Sequence, residues 1–254
     1  MPKVSVIIPC YNQEDYLEDA LSSLRGEYKD FEVIVVNDGS PNFGADEKIQ
    51  SVISSFSDIN IKYINQENQG VSAARNNAIK EAQGKYILPL DADDMTVNAY
   101  LKEASEILDN NEKIGIVYCN AEFFGEKQGE WKLPKATLIN MLSQNRIFCT
   151  SMYRKSDWEK VGGYKTEMDE GCEDWDFWLS LFEIGLIAFK IDKLYFRYRQ
   201  LPKSRTHYAL EFKNYVSIRK KLIKFHKKSY MKYNLLVLIP LGLRILLKGL
   251  KCQK

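Results

Sequence analysis

No two of the five cysteines (Cys10, Cys119, Cys149, Cys172 and Cys252) form a CxxC pair, and the count is odd. That excludes a disulfide framework and a structural zinc site, and it points to a reducing compartment. Histidine is scarcer, with only His207 and His226. A secretion signal is not expected. The apolar part of "MPKVSVIIPC" is short and lacks a small-residue cleavage pattern, so it reads as a first strand. A membrane span needs about twenty apolar residues. The stretch "LLVLIPLGL" (235–243) has nine, is broken by Pro240 and is followed by Arg244. GxGxxG and GxxxxGK[ST] are both missing, which excludes a common NAD pocket and a P-loop. Internal repeats and low-complexity linkers are absent. Acid is missing from one end: Phe212 to Lys254 carries twelve Lys or Arg and no Asp or Glu. The preceding 211 residues hold 24 basic and 34 acidic side chains, so an acidic body carries a basic tail.

What is present suits one large α/β domain, alone or with an appendage: 254 residues, 45% of them hydrophobic. β-Branched runs at 3–9, 31–38, 61–65, 86–91 and 114–124 predict strands. Between them, 14–24, 44–56, "SAARNNAIKEAQG" and "NAYLKEASEILDNN" predict helices, with Leu17, Ala20, Leu21 and Leu24 on one face of the first. Alternation of this kind predicts βαβ units and a mostly parallel sheet. The stretch 146–164 reads as strand, short helix and turn. "EDWDFWLSLFEIG" (173–185) predicts an amphipathic helix with acids in its first turn. Strands are expected over 186–200 and a helix over 208–233.

Ligands of such sheets sit at the carboxyl ends of the strands. Three ends are unusual: "PCYNQED", "NDGSP" and "DADD". In "YILPLDADDM" an apolar run ends in Asp91, Asp93 and Asp94, whose charges repel. A solvated loop is one explanation. An EF-hand is not, because Met95, Thr96 and Lys102 stand where its loop needs a ligand, a glycine and a glutamate. A half-built site for Mn²⁺ or Mg²⁺, completed by substrate phosphates, is the other.

Six segments occur in order: "VSVIIPCYNQEDYLEDALSSL", "VIVVNDGS", "NQGVSAARNNAI", "YILPLDADD", "VGGY" and "EDWDFWLSL". With them the chain resembles the family 2 glycosyltransferases of GT-A fold, over roughly residues 3 to 200. The resemblance implies inverting transfer of a sugar from a nucleotide sugar, a UDP-sugar, to an acceptor hydroxyl in cell-surface polysaccharide synthesis. It divides the chain into a GT-A domain, 1–207, and a basic helical extension, 208–254. Within the domain, 1–115 would bind nucleotide and 116–207 acceptor.

Tyr11 can stack on a base, and Asp38 can accept from a base imide N–H, as the family's matching aspartate does for uracil; their ordinary roles would be a loop aromatic and a turn former. Pro9, Asn12, Glu14, Ser40 and Gly70 join them as donor-side residues, although Asn12 suits a helix N-cap equally. Arg75 would face the donor rather than solvent. By the resemblance Asp91 to Asp93 is the DXD metal motif: Asp91 contacts ribose or metal, Ala92 lies between, and Asp93 ligates the ion. Asp94 serves the site or caps the next helix, and His207 is either a third ligand or a loop imidazole. Asp174 is the expected base and Glu173 its helper, against a capping role at the helix start. Trp175 forms an acceptor wall or simple core. QxxRW, seen in processive synthases, is absent, which leaves Arg197, Arg199 and Arg205 without a role.

The implied partners are a nucleotide-sugar donor and a glycan or lipid-linked glycan acceptor. Nucleic acid is not among them, since the tail lacks interleaved aromatics. The tail would lie on an anionic inner leaflet, placing the protein in the cytoplasm at the membrane's inner face, or it would pack on its own domain or on a second copy in a homodimer. A catalytically silent GT-A domain, binding glycan or nucleotide as a scaffold, is the alternative reading.

Overall fold

The computed structural model describes residues 1–202, 208–209 and 211–233. Nine strands form two sheets. The first has the order β3-β2-β1-β4-β8, from β1 (Val4–Cys10), β2 (Phe31–Asp38), β3 (Ile61–Gln66), β4 (Tyr86–Pro89) and β8 (Tyr153–Arg154). All its pairings are parallel except that of β8, as the alternating pattern predicts. Every residue of β1 and β2 is buried. Helices cover both faces, so the Val and Ile runs need no polar side, and each such side chain contributes about 1.5–3 kcal/mol on burial.

The helices α1 (Leu17–Ser23), α2 (Ala45–Ser54), α3 (Val71–Glu81) and α4 (Asn98–Asn110) connect this half. Leu17, Ala20 and Leu21 bury one face of α1. The small residues Ala73, Ala74 and Ala78 let α3 lie close against β1 and β2. Gly70 precedes α3 with φ +83°, a left-handed conformation in which a side chain is strained.

The second sheet departs from expectation. β6 (Ile114–Gly125) does not close the first sheet. It pairs in parallel with β9 (Ile187–Gln200), from Ile114↔Ile187 to Gly125↔Gln200. Antiparallel edges complete the order β5-β9-β6-β7, with β5 (Met95–Thr96) on β9 and β7 (Gly129–Trp131) on β6. An isolated bridge, Val117↔Met152, and a hydrogen bond from Arg154 to Ile114 O at 2.6 Å tie β6 toward β8. A buried apolar strand reads alike whichever sheet receives it, so sequence alone does not separate the two cases.

The helices α5 (Leu138–Ser143), α6 (Lys155–Val161) and α7 (Glu173–Glu183) complete this half; α7 packs on β6 and on both α5 and α6, and α6 also packs on β8 of the first sheet. The expected helix over 208–233 is two, α8 (Phe212–Phe225) and α9 (Lys227–Lys232), broken at His226. Tyr215, Ile218, Leu222 and Tyr230 are buried, so this part of the basic extension is docked on the body. No helix among the described residues is long and apolar enough to cross a membrane. The stretch 235–243, to which the membrane expectation applies, lies outside them.

Candidate active site

A cleft of about 1510 Å³ opens at the carboxyl ends of β1, β2 and β4 and extends along the second sheet. In the order 3-2-1-4 the topology switches between β1 and β4, where an open α/β sheet leaves a crevice.

On the β1–β2 side, Pro9, Tyr11, Asn12 and Asp38 line the cleft. Tyr11 is 46% exposed, so its ring face is free to take a planar ligand. Asp38 is buried; its Oδ1 accepts from Gln66 Nε2 at 2.7 Å and from the Gln69 backbone N–H at 3.0 Å. Asn12 is not a helix cap. It has φ +56°, its N–H donates to Ser40 Oγ at 3.0 Å, and Asn42 donates to its side-chain oxygen. Glu14 and Ser40 stand behind this loop. Glu14 is buried, accepts from Asn42 Nδ2 at 2.6 Å, and its second oxygen has no partner. Gly70 lines the cleft; Ala92 is fully buried.

Arg75 lies at the centre and is 1% exposed. It reaches the cleft as a brace between two carboxylates: Nη2 donates to Asp91 and Nη1 to Glu173, each at 2.6 Å. The loop after β4 is thereby tied to the first turn of α7.

Asp93 also lines the cleft. Burial, then the charge of Asp91, push its carboxyl up to about 7. No side chain among the described residues pairs with it. Among those residues no group of three His, Cys, Asp or Glu is arranged to hold a metal. Asp91 and Asp93 are a donor set that suits a hard divalent ion when oxygens from a second source, such as a diphosphate, complete it. His207, the suggested third ligand, lies outside the described residues. Asp94 caps no helix: it is buried and accepts from the Arg199 backbone N–H at 2.8 Å. Burial, with Asp93 and Asp91 nearby, holds its carboxyl well above the usual range.

Across the cleft, α7 presents Glu173 and Asp174. Cys172 precedes them with φ +62°, a strained conformation for a residue with a side chain. Asp174 Oδ1 accepts from the Trp175 N–H at 2.7 Å, and Oδ2 from Asn145 Nδ2 at 3.2 Å. Burial first, then the Glu173 charge, push its carboxyl up to about 7. A carboxylate titrating there is matched to proton abstraction at neutral pH. Cys149 lines the same region, but burial pushes its thiol well up, which leaves it a poor nucleophile. Trp175 is 3% exposed; its Nε1–H donates to Met141 O at 2.7 Å and the Arg219 guanidinium lies 4.7 Å from its ring.

Three contributors carry no motif. Asn145 orients Asp174. Arg199, left without a role by the sequence, donates from Nε to Asp93 O at 2.8 Å and from Nη2 to Asp19 at 2.6 Å, fixing the acidic loop from β9. Trp131 joins the cleft wall from β7. Arg197 pairs instead with Glu122 at 2.8 Å, and Arg205 lies outside the described residues.

Residues 5–166 match the family model described as glycosyl transferase family 2. Among curated proteins, an uncharacterized glycosyltransferase of Rickettsia prowazekii is 30% identical over 82% of this chain and 65% of its own length. The uncharacterized glycosyltransferase EpsJ of Bacillus subtilis is 28% identical over 81% of this chain and 63% of its own. This chain thus spans less than two thirds of the length of either. Among solved structures, S. aureus TarS 1-349 in complex with UDP-GlcNAc superposes with a TM-score of 0.72 at 23% identity, over 88% of this chain and 66% of that one. The mannosyltransferase PcManGT of Pyrobaculum calidifontis, in complex with GDP-Man and Mn²⁺, gives 0.69 at 19% identity, over 90% and 69%. At these identities the likeness is one of fold, the GT-A arrangement.

Proposed function

Because the chain belongs to glycosyl transferase family 2, we propose that it transfers a sugar from a UDP-sugar to an acceptor hydroxyl, inverting the anomeric carbon. The acceptor is a free or lipid-linked glycan of the cell surface. One observation carries this reading. A single cleft brings together an exposed ring and a buried aspartate at one end, a carboxylate with no side-chain partner among the described residues in the middle and a carboxyl titrating at about 7 on the far wall.

In this reading Tyr11 stacks on the base and Asp38, whose Oδ1 is engaged by Gln66 and Gln69, accepts the imide N–H on Oδ2. A divalent ion, Mn²⁺ or Mg²⁺, would be held by Asp93 with Asp91 beside it, and when bound would neutralise charge on the diphosphate. Arg75 keeps Asp91 and Glu173 at fixed separation and so orients the two walls toward each other. Asn145 holds the Asp174 carboxylate toward the acceptor. The acceptor oxygen bonds to the anomeric carbon as its proton passes to Asp174. The bond from that carbon to the diphosphate oxygen breaks, and the nucleoside diphosphate leaves with the electron pair. The new bond forms on the face opposite the one that breaks, which gives inversion.

The test is calorimetry with UDP, GDP and CDP, each with Mn²⁺ and with EDTA, followed by turnover of UDP-sugars. UDP should bind best and only with metal. Equal affinities for the three diphosphates remove the uracil assignment. Tight UDP binding without turnover of any sugar would leave the chain a silent binding module.

A further inference from the structure

The half of the cleft that the nucleotide assignment leaves over is walled by aromatic rings from the second sheet. Trp131 is central. Its ring stacks on Phe123 at 5.2 Å between centroids, meets Tyr198 at 5.3 Å, and tilts against Phe148 at 5.9 Å; Phe148 in turn stacks on Phe196 at 4.4 Å. All five line the cleft. Phe148 and Phe196 are buried, whereas Trp131, Phe123 and Tyr198 keep part of their surface in it. A ring cluster serving only as core would bury its largest member, because each wet square ångström of indole forfeits about 25 cal/mol. Here the largest member is only partly buried and lines the cleft.

The wall adjoins the proposed base. Asn145, which donates to Asp174 Oδ2 at 3.2 Å, lies in the same short segment as Phe148. The rings, Asn145 and Asp174 all line one cleft, so a ligand resting on the rings shares it with the Asp174 carboxylate. An aromatic face carries negative charge density and attracts positively polarised C–H groups. A pyranose ring offers such a face, with hydroxyls around its rim for Asn145 and Asp174. An open-chain polyol has no flat C–H face. A phosphate or uronate here would share the cleft with the ionised Asp174, which no salt bridge offsets among the described residues.

We propose that the acceptor presents a neutral pyranose ring that stacks on Trp131 with its reacting hydroxyl toward Asp174. The inference rests on the glycosyl-transfer reading and narrows it. Trp131, from the short β7 strand, is the specificity-determining aromatic; Trp175 is occupied by Met141 and Arg219.

Saturation-transfer NMR tests the two readings separately in one tube. The probes are methyl β-D-glucopyranoside, sorbitol and glycerol 1-phosphate, each mixed with the full chain, UDP and Mg²⁺, which is diamagnetic and leaves ligand signals sharp. The ring C–H protons of the pyranoside should be saturated, with sorbitol and glycerol phosphate weaker by about fivefold or more. Trp131→Leu keeps apolar volume but removes the aromatic face. It should weaken the pyranoside signal about fivefold and leave the UDP signal unchanged, and Trp131→Phe should restore most of it. A sorbitol or glycerol phosphate signal equal to the pyranoside's overturns the proposal. So does an unaltered pyranoside signal in Trp131→Leu. Absence of a UDP signal from the parent chain strikes the glycosyl-transfer reading instead. The comparison of probes on the parent chain decides the matter even where the leucine variant folds poorly.

Discussion

Asp93 and Asp174 have the same shifted pKa and different proposed tasks. Both are pushed up to about 7 by burial and a neighbouring carboxylate. Asp93 faces the place where diphosphate is proposed to sit; Asp174 is held by Asn145 on the opposite wall. Asp93→Asn should weaken metal-dependent UDP binding and turnover together. Asp174→Asn should bind UDP and metal like the parent while turnover falls by roughly 10² or more. Normal turnover in Asp174→Asn transfers the role to Glu173. Turnover in the parent should rise with pH until about 7 and then level, because the base must be ionised. The same shift has a stability sign. The native pKa lies above the ordinary carboxylate value of about 3.9, so the native state holds the proton more tightly, and stability falls as pH rises from about 4 toward 7. Asp174→Asn escapes that loss. At pH 8 it should melt a few degrees above the parent, on the order of 1 kcal/mol. A lower melting point would show that the carboxylate is better compensated than its surroundings imply. Acids at the ends of apolar runs are conspicuous in a sequence, so Asp38, Asp91 and Asp93 stood out there, whereas Asp174 stood out only through the family resemblance of "EDWDFWLSL". Asn145, Arg199 and Trp131 did not, because what singles them out is a partner 29, about 106 or 67 residues away. The Arg75 brace was legible as a residue but not as a structure, since pairing with Glu173 crosses 98 positions.

Among the elements, α7 connects the site to the C-terminal helices. Its front carries Glu173 and Asp174; its back carries Asp176, which is fully buried, and Glu183. His226, 2% exposed, places Nε2 3.0 Å from Asp176 and Nδ1 2.9 Å from Glu183, while Lys165 reaches Asp176 at 2.7 Å. This is why the helix expected over 208–233 breaks: turning His226 into two carboxylates takes its backbone to φ −107°, ψ 33°. Helical periodicity carries no mark of such a turn. Burial opposes protonation of His226, but Asp176 and Glu183 outweigh it and raise its pKa. A raised histidine pKa contributes stability that is full below about 6.5 and is lost as pH rises through the folded value. His226→Gln should abolish that dependence and destabilise the chain by about 3 kcal/mol at pH 6, since Asp176 keeps only Lys165. Melting curves of both proteins across pH 5.5 to 8.5 check it, and parallel curves refute it. The short strands β5 and β7 were as hidden as this break, whereas β8 falls within the strand expected in 146–164. Runs of two or three residues are too brief for a period, and pairing with remote strands creates them.

At the scale of the molecule, the charge asymmetry was visible in composition and its boundary was not. The division at residue 208 falls near the last acid, Glu211, and α8 and α9 beyond it are docked on α5 and α7. Tyr230 and Arg219 both donate to Leu142 O, and Ser229 donates to Glu183 at 2.5 Å. A cut after Tyr208 would strip Ile218, Leu222 and Tyr230 from the core and expose Asp176, so its effect on membrane binding would be confounded with unfolding. The informative cut is after Tyr233. It removes 21 residues that hold four basic and no acidic side chains, together with the apolar stretch 235–243. Near an anionic surface each such charge is worth about 1 kcal/mol, and buried apolar area adds to it. The full chain should therefore float with phosphatidylserine-containing vesicles, lose much of that binding in high salt, and bind neutral vesicles weakly. The chain ending at Tyr233 should remain in the unbound fraction, with UDP affinity and melting temperature close to the parent's. Equal flotation of the two chains would move the membrane contact onto the lysines of α8 and α9. A large drop in melting temperature on truncation would instead mean that the removed segment packs on protein. The two explanations of the tail thus separate by measurements on one pair of chains, one read by flotation and the other by heat.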